Sequence, residues 1–323
     1  MSYVITTDPC PTKFVGDMVD MIVSTDSQKV DFALAFEGAN VIEEQYVAAN
    51  GTVRIGGLRK VIDGILYGQM IVSGGQDYMG GDFTFIIDEE TAFTKRLYIS
   101  KAVNMEDPTG QKRILSHGTR DVCYPGMSHP MTFISYGNTR FKATLYDASG
   151  NVLETVQPTA INVPWTEECR PDTLFTTASG GAKVVYQIGT ETFTSYIDHS
   201  SYPDGLLFRY LNIYDAPETL LAKKALGVKP GYTGETGIVN GIEQRFAIEG
   251  DDEYEADSGA LAMREQYMQW RDLLVSRKVE VLWNGQWLPV IVSKANYQQT
   301  FRKATFDHVT FSFKLADKNV SMI

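Results

Sequence analysis

Side chains able to do chemistry are few in this sequence, and their spacing rarely brings them together. Gly126-Met127-Ser128-His129-Pro130 starts as a nucleophile turn does, but Pro130 stands where the motif has its second glycine. That position needs the smallest residue, because the chain turns sharply from strand into helix there. No helical pattern follows, so the segment reads as a loop leading into a strand at Met131. His117, Cys123 and His129 recur at six-residue intervals. Extended chain covers ~3.3 Å per residue, so neighbours in this series stand roughly 20 Å apart, too far to share an ion through bonds of ~2 Å. Only a chain doubling back at Pro125-Gly126 would gather them. They read as packed or surface side chains, as do His199 and His308.

The densest charge lies between Glu249 and Asp257. Counted as a calcium loop from Asp251, this run has Ala256 in place of the sixth-position glycine and Ala262 in place of the closing glutamate. It reads as a solvated loop whose last carboxylates sit beside the N-terminus of a following helix. Gly74-Gly75-Gln76-Asp77-Tyr78-Met79-Gly80-Gly81 lacks the lysine and hydroxyl residue that complete a phosphate loop, and reads as a mobile loop or one that contacts a partner. Trp283 and Trp287 flank Asn284-Gly285 and are read as close cross-strand partners. Such rings serve a core, a sugar-stacking surface or a subunit contact. No catalytic, cofactor-binding or metal-binding residue is assigned. The two facing acids of a polysaccharide hydrolase follow no fixed spacing, so no pair is named.

Strands must position whatever the chain presents. Val30, Phe32, Leu34 and Phe36 alternate with Asp31, Ala33, Ala35 and Glu37, and Phe83, Phe85 and Ile87 repeat the pattern. This period of two places alternate side chains on opposite faces of a strand. Further strands are expected over Asp17–Ser24, Val41–Ala48, Ala92–Val103, Arg113–Val122, Met131–Tyr136, Lys183–Ile188, Thr192–Asp198, Leu206–Tyr214, Gln244–Glu249 and His308–Leu315. Two hairpins are expected: Phe141–Tyr146 with Val152–Val156, and Val279–Trp283 with Gln286–Val292 about the preferred Asn-Gly turn. Pro289 has no N–H to donate, which places the second return strand at an edge or a bulge. Apolar residues at three- and four-residue steps predict a short helix over Gly56–Leu66 and a longer one over Ser258–Ser276, with Ser258 as N-cap. Ala216–Leu226 reads as helix or strand. The expected fold is mainly β: two antiparallel sandwich or barrel-like domains, 1–162 and 163–323, joined by a linker over Pro158–Pro171.

The chain has 323 residues and a formal charge of −11, with 13 basic and 19 acidic residues in 1–162 and 16 and 21 in 163–323. The deficit is even, and no basic face exists to track phosphates, so nucleic acid is not an expected partner. No apolar run reaches the ~18–20 residues that span a bilayer, and a membrane is not expected either. Cys10, Cys123 and Cys169 are too few and too irregular for a disulfide framework and read as buried thiols.

Four segments of the C-terminal half carry a resemblance: Phe208 to Thr219, Trp270 to Ser276, Val279 to Val292 and Phe306 to Leu315. Together they resemble tail-associated proteins of tailed bacteriophages and prophages, particularly those of gut Bacteroides-type hosts. The resemblance implies a virion structural protein of the distal tail or baseplate, assembled in the host cytoplasm as a homo-oligomeric ring. The implied partners are further copies of the chain, other phage tail proteins and a host surface glycan. It implies no enzyme, no cofactor and no transferred site residue. The alternatives are a glycan-binding adhesin that uses Trp283 and Trp287 or nearby tyrosines and, ranked third, a polysaccharide hydrolase.

Overall fold

Most of the alternating segments form strands. In a computed structural model, residues 3–101, 112–134, 141–157, 164–295, 308–317, 320 and 322 are described. The protein is mainly β, with 51% strand and 11% helix, and almost every pairing is antiparallel. The ends of the expected Ala92–Val103 and Met131–Tyr136 strands, and the first residues of the Pro158–Pro171 stretch, lie outside the described residues.

Two sheets enclose the first core. One runs in the order Ala39–Val47, Lys29–Phe36, Gly80–Ile87, Glu90–Tyr98, and the other Tyr3–Thr7, Met21–Thr25, Thr52–Ile55. Their inward side chains, among them Phe32, Leu34, Phe83, Phe85, Val23 and Ile55, form one buried cluster. The helix Leu58–Ile65 closes it with Leu58, Ile62 and, just past its end, Leu66, the four-residue steps of a single helical face.

A second core lies under a five-stranded sheet ordered Val152–Val156, Phe141–Tyr146, Lys183–Ile188, Glu191–Ile197, Arg120–Cys123. The last pair is parallel. Phe133, Phe141, Tyr186 and Phe193 fill this core. A third is built on a seven-stranded sheet ordered Pro217–Ala222, Leu206–Leu211, Val279–Trp283, Gln286–Ala295, Thr310–Leu315, Glu253–Asp257, Gly227–Lys229. The helix Arg264–Val275 buries Trp270 and Leu273 against Phe208, Phe311 and Phe313. Each fully buried aromatic or aliphatic side chain stabilises the fold by roughly 1.5–3 kcal/mol.

Strands on either side of residue 162 share a sheet, because Phe141–Tyr146 pairs with Lys183–Ile188 along its whole length. The first core also takes in Tyr214 and Ala216. The expected linker is in part a strand: Trp165–Glu168 pairs with Pro130–Phe133 on one side and Gly74–Gly75 on the other. Ala216–Leu226 resolves to a strand, Pro217–Ala222, in register with Leu206–Leu211.

Ser258 is not a helix cap. Its Oγ accepts the Val309 N–H at 2.8 Å and donates to the Gly259 carbonyl, tying two chain segments together. The helix begins six residues later at Arg264, and Gln266 reaches back to accept the Ala262 N–H at 2.8 Å. This helix buries Gln266, Gln269 and Asp272 as well as Trp270 and Leu273, so polar and apolar stripes are both covered. Pro289 sits in an interior strand instead of an edge. Its carbonyl accepts from Ala316 N, and the Thr310–Leu315 ladder starts one residue further on, at Val290. The absent donor therefore falls at the end of a ladder, and the irregularity in this strand comes later, between Val292 and Lys294.

Candidate assembly surface

Ser128 and His129 point away from each other. Ser128 Oγ donates to Glu168 Oε2 at 2.6 Å, while the other oxygen of that carboxylate accepts the His129 backbone N–H at 2.6 Å. The His129 ring turns inward, with Nε2 3.1 Å from Ser195 Oγ and 3.5 Å from Asp121 Oδ2. Serine, histidine and acid thus meet, but both neighbours lie against the same ring nitrogen. A proton relay needs the hydroxyl on one nitrogen and the carboxylate on the other. Ser195 is also fully buried, so the cluster is polar packing closed to a substrate.

The evenly spaced trio separates. His117 Nδ1 pairs with Asp272 Oδ2 at 3.0 Å, His129 lies in the cluster just described, and burial pushes the Cys123 thiol far up from its ordinary range. Among the described residues no three metal-ligating side chains gather. His199 Nε2 lies 2.7 Å from the Gly181 carbonyl, and His308 lies near Asp257 at the surface.

Two further expectations are corrected by strand pairing. The acidic run is no loop over its second half: Glu253–Asp257 is a strand between Thr310–Leu315 and Gly227–Lys229, with Asp257 held by Lys224 Nζ at 2.6 Å. The glycine-rich segment is held in two sheets. Gly74–Gly75 pairs with Trp165 and Thr166, and Gly80 and Gly81 open a strand where the rings of Tyr98 and Phe36 occupy the space a Cβ would need.

Trp283 and Trp287 are not cross-strand partners. In the two-residue hairpin Trp283 pairs with Gln286 and Leu282 with Trp287, so the tryptophans stand on opposite faces of the sheet. Trp283 packs on the third core. Trp287 packs on a small cluster around Leu207 and Leu221, with the Arg209 guanidinium 4.4 Å from its ring centre.

The surface that stands out is a hairpin. Tyr232–Val239 and Ile242–Gly250 form a two-stranded sheet of their own, paired with no other strand among the described residues. Asn240 and Gly241 make its turn with φ of 55° and 80°, the positive values a type I′ turn requires. Register puts Val239, Ile242 and Phe246 on one face, exposed by 47%, 63% and 46%, with the Phe246 ring lying over Gly237. The other face carries Thr236, Ile238, Glu243 and Arg245, and Arg245 stacks on Tyr232 at 4.2 Å. Glu235 and Gln244 share the first face and Ile238, 77% exposed, stands on the second, so apolar side chains of this hairpin are open on both sides. An isolated two-stranded hairpin is marginal in water, and apolar faces of this kind belong against other protein. The sequence held the signal: Asn240-Gly241 lies between Ile238-Val239 and Ile242, the same dipeptide that marks the Asn284-Gly285 turn.

Sheet edges supply a second kind of open surface. Among the described residues, Ala39–Val47 and Val152–Val156 are edge strands, each with one row of backbone donors and acceptors unpaired by the sheet. Beside the first, a groove of about 570 Å³ has Phe32, Ala33 and Ile86 among its lining residues, with Asp31, Glu43 and Glu89 around them. No helix among the described residues is long and apolar enough to cross a membrane. Neither the known family models nor the curated proteins give a match to this chain.

Proposed function

We propose that the chain is a structural protein of a phage tail or baseplate, one subunit of a homo-oligomeric ring that joins the tail to the host-recognition apparatus. The observation that carries this reading is the unpartnered hairpin with Val239, Ile242 and Phe246 on one face. The resemblance of the C-terminal segments to tail-associated proteins supplies the setting. In the proposed assembly the hairpin of one copy lies on the groove and edge strand Ala39–Val47 of the next. The two surfaces differ, so the contact is head-to-tail and closes into a ring when the rotation between copies is right. Light scattering on the purified full chain, with negative-stain imaging, tests it. Rings are expected, and the variant Val239→Thr/Ile242→Thr/Phe246→Ser is expected to be a folded monomer. A wild-type chain that stays monomeric at high concentration overturns the reading.

A second reading, host-glycan binding, is favoured by Tyr67 and Tyr78. Both are exposed, and their rings stack at 4.7 Å with planes 10° apart, an aromatic platform of the kind on which a sugar ring packs. Replacing both by alanine without any change in glycan or cell binding removes it.

A further inference from the structure

Asp121 and His129 lie where all three cores meet. Asp121 sits on the Arg120–Cys123 strand, His129 enters the Pro130–Phe133 strand, Glu218 comes from the seven-stranded sheet and Gln269 from the helix Arg264–Val275, and all four line one small cavity. Asp121 is 9% exposed and Gln269 is 3% exposed, and Asp121 Oδ1 and Gln269 Oε1 have no hydrogen-bond partner among the described residues. His129 Nε2 lies 3.5 Å from Asp121 Oδ2.

We infer that Asp121 and His129 hold one proton between them and so keep the proton count of this pair the same in the folded and the unfolded chain. Burial disfavours charge on either group. It pushes Asp121 from 3.8 up to about 7, against a hydrogen bond from Ser195, and His129 from 6.5 down to about 4, against the charges of Glu168 and Glu218. Tyr186 and Cys169 close the second-core side with their ionisations pushed far up by burial, and Glu218 is raised by burial against hydrogen bonds from Tyr210 and Asn212. Asp272 on the helix adds only a further negative charge facing Glu218.

Two large and opposite shifts then cancel in the linkage. The folded pair carries one proton from about pH 4 to about pH 7, and the unfolded pair carries one from 3.8 to 6.5, so unfolding neither takes up nor releases a proton across that window. Breaking the pair uncovers each half. With Asp121 made neutral, His129 must charge on unfolding, and stability falls as pH drops from 6.5 towards 4. With His129 made neutral, Asp121 must lose its proton on unfolding, and stability falls as pH rises from 4 towards 7.

Urea unfolding of the full chain between pH 4.5 and 7.5 tests this with four proteins: wild type, Asp121→Asn, His129→Gln and the double variant. Relative to wild type, the unfolding equilibrium constant of Asp121→Asn is expected to rise close to tenfold per pH unit of acidification below 6.5, the limit for one proton. That of His129→Gln is expected to rise by a similar factor per unit as pH increases between 4 and 7. The double variant is expected to run parallel to wild type at every pH, giving a flat difference profile, which general damage to the fold would not do. If Asp121→Asn fails to fold, Asp121→Ser, equally unable to ionise, takes its place. Difference profiles that are flat, or that slope the same way in both single variants, overturn the inference.

Discussion

The backbone N–H of Gly68 donates to Asp215 Oδ2 at 3.0 Å across 147 residues of sequence, and the two chains pass so closely that a Cβ on Gly68 would run into the Asp215 carbonyl oxygen. Asp215 is fully buried with φ of 55°, and its carboxylate also faces Lys101 at 3.0 Å and Arg277. Gly68→Ala must therefore push backbone against backbone. Overpacking of this kind costs roughly 1–3 kcal/mol, and the urea midpoint of Gly68→Ala is expected to fall accordingly, with the slope unchanged.

The three thiols should be silent in the native protein. Burial drives Cys10 up to about 12, against the Lys95 charge, and pushes Cys123 and Cys169 well above the ordinary thiol value. The thiolate is the reactive form, so a thiol reagent at neutral pH is expected to leave all three untouched until denaturant is added. Mass spectrometry of the alkylated protein counts the modified sites; labelling of any cysteine in native buffer contradicts this.

The two tryptophans Trp270 and Trp287 are expected to differ sharply when truncated. Trp270 is 2% exposed, with its ring centre 5.7 Å from that of Phe311, so Trp270→Ala should cost roughly 3–5 kcal/mol. Trp287 is half-buried beneath Arg209, and Trp287→Ala should cost only about 1 kcal/mol. Thermal unfolding of the two variants checks the order.

Acid should act through Asp257. Burial works against its charge, but hydrogen bonds from Lys224 and the Gly259 N–H and the charges of Lys224 and His308 outweigh that and hold its carboxyl below the ordinary value. A carboxylate depressed in the folded state contributes stability above its unfolded pKa, and the contribution is lost as pH falls through the folded one. Asp257→Asn is expected to be less stable than wild type at pH 7, with the gap closing below pH ~4 as the wild-type group protonates. Denaturant midpoints at pH 7 and pH 3 give the comparison.

Strands were legible wherever alternation and turn chemistry agreed. Phe141–Tyr146 and Val152–Val156 form as read, because Asp147 accepts from Asn151 and Gly150 takes its positive φ. The Asn240-Gly241 hairpin was legible only in its second arm, where Gln244–Glu249 reads as strand, because Gly234 and Gly237 interrupt the alternation of the first. Trp283 and Trp287 were misplaced by parity: four residues across a two-residue turn span an odd step of register, and an odd step changes face. The junction of Asp121, His129, Ser195 and Gln269 was not legible at all. Its members come from four segments up to 148 residues apart, and nothing local marks them. Ser258 failed as a cap because a long-range partner, Val309, outcompeted the local role.

The sheet shared by strands on either side of residue 162 also bears on synthesis. When the first 162 residues have left the ribosome, Phe141–Tyr146 has only its hairpin partner, and the strand that covers its other side, Lys183–Ile188, has yet to emerge. Gly74–Gly75 likewise waits for Trp165 and Thr166, and the first core waits for Tyr214 and Ala216. Pairings so distant in sequence must close long loops before they are rewarded, which slows folding. Nascent chains of this protein therefore spend much of their elongation with open sheet edges, and a pause or truncation before about residue 216 would release a product prone to pairing with its neighbours in the wrong register.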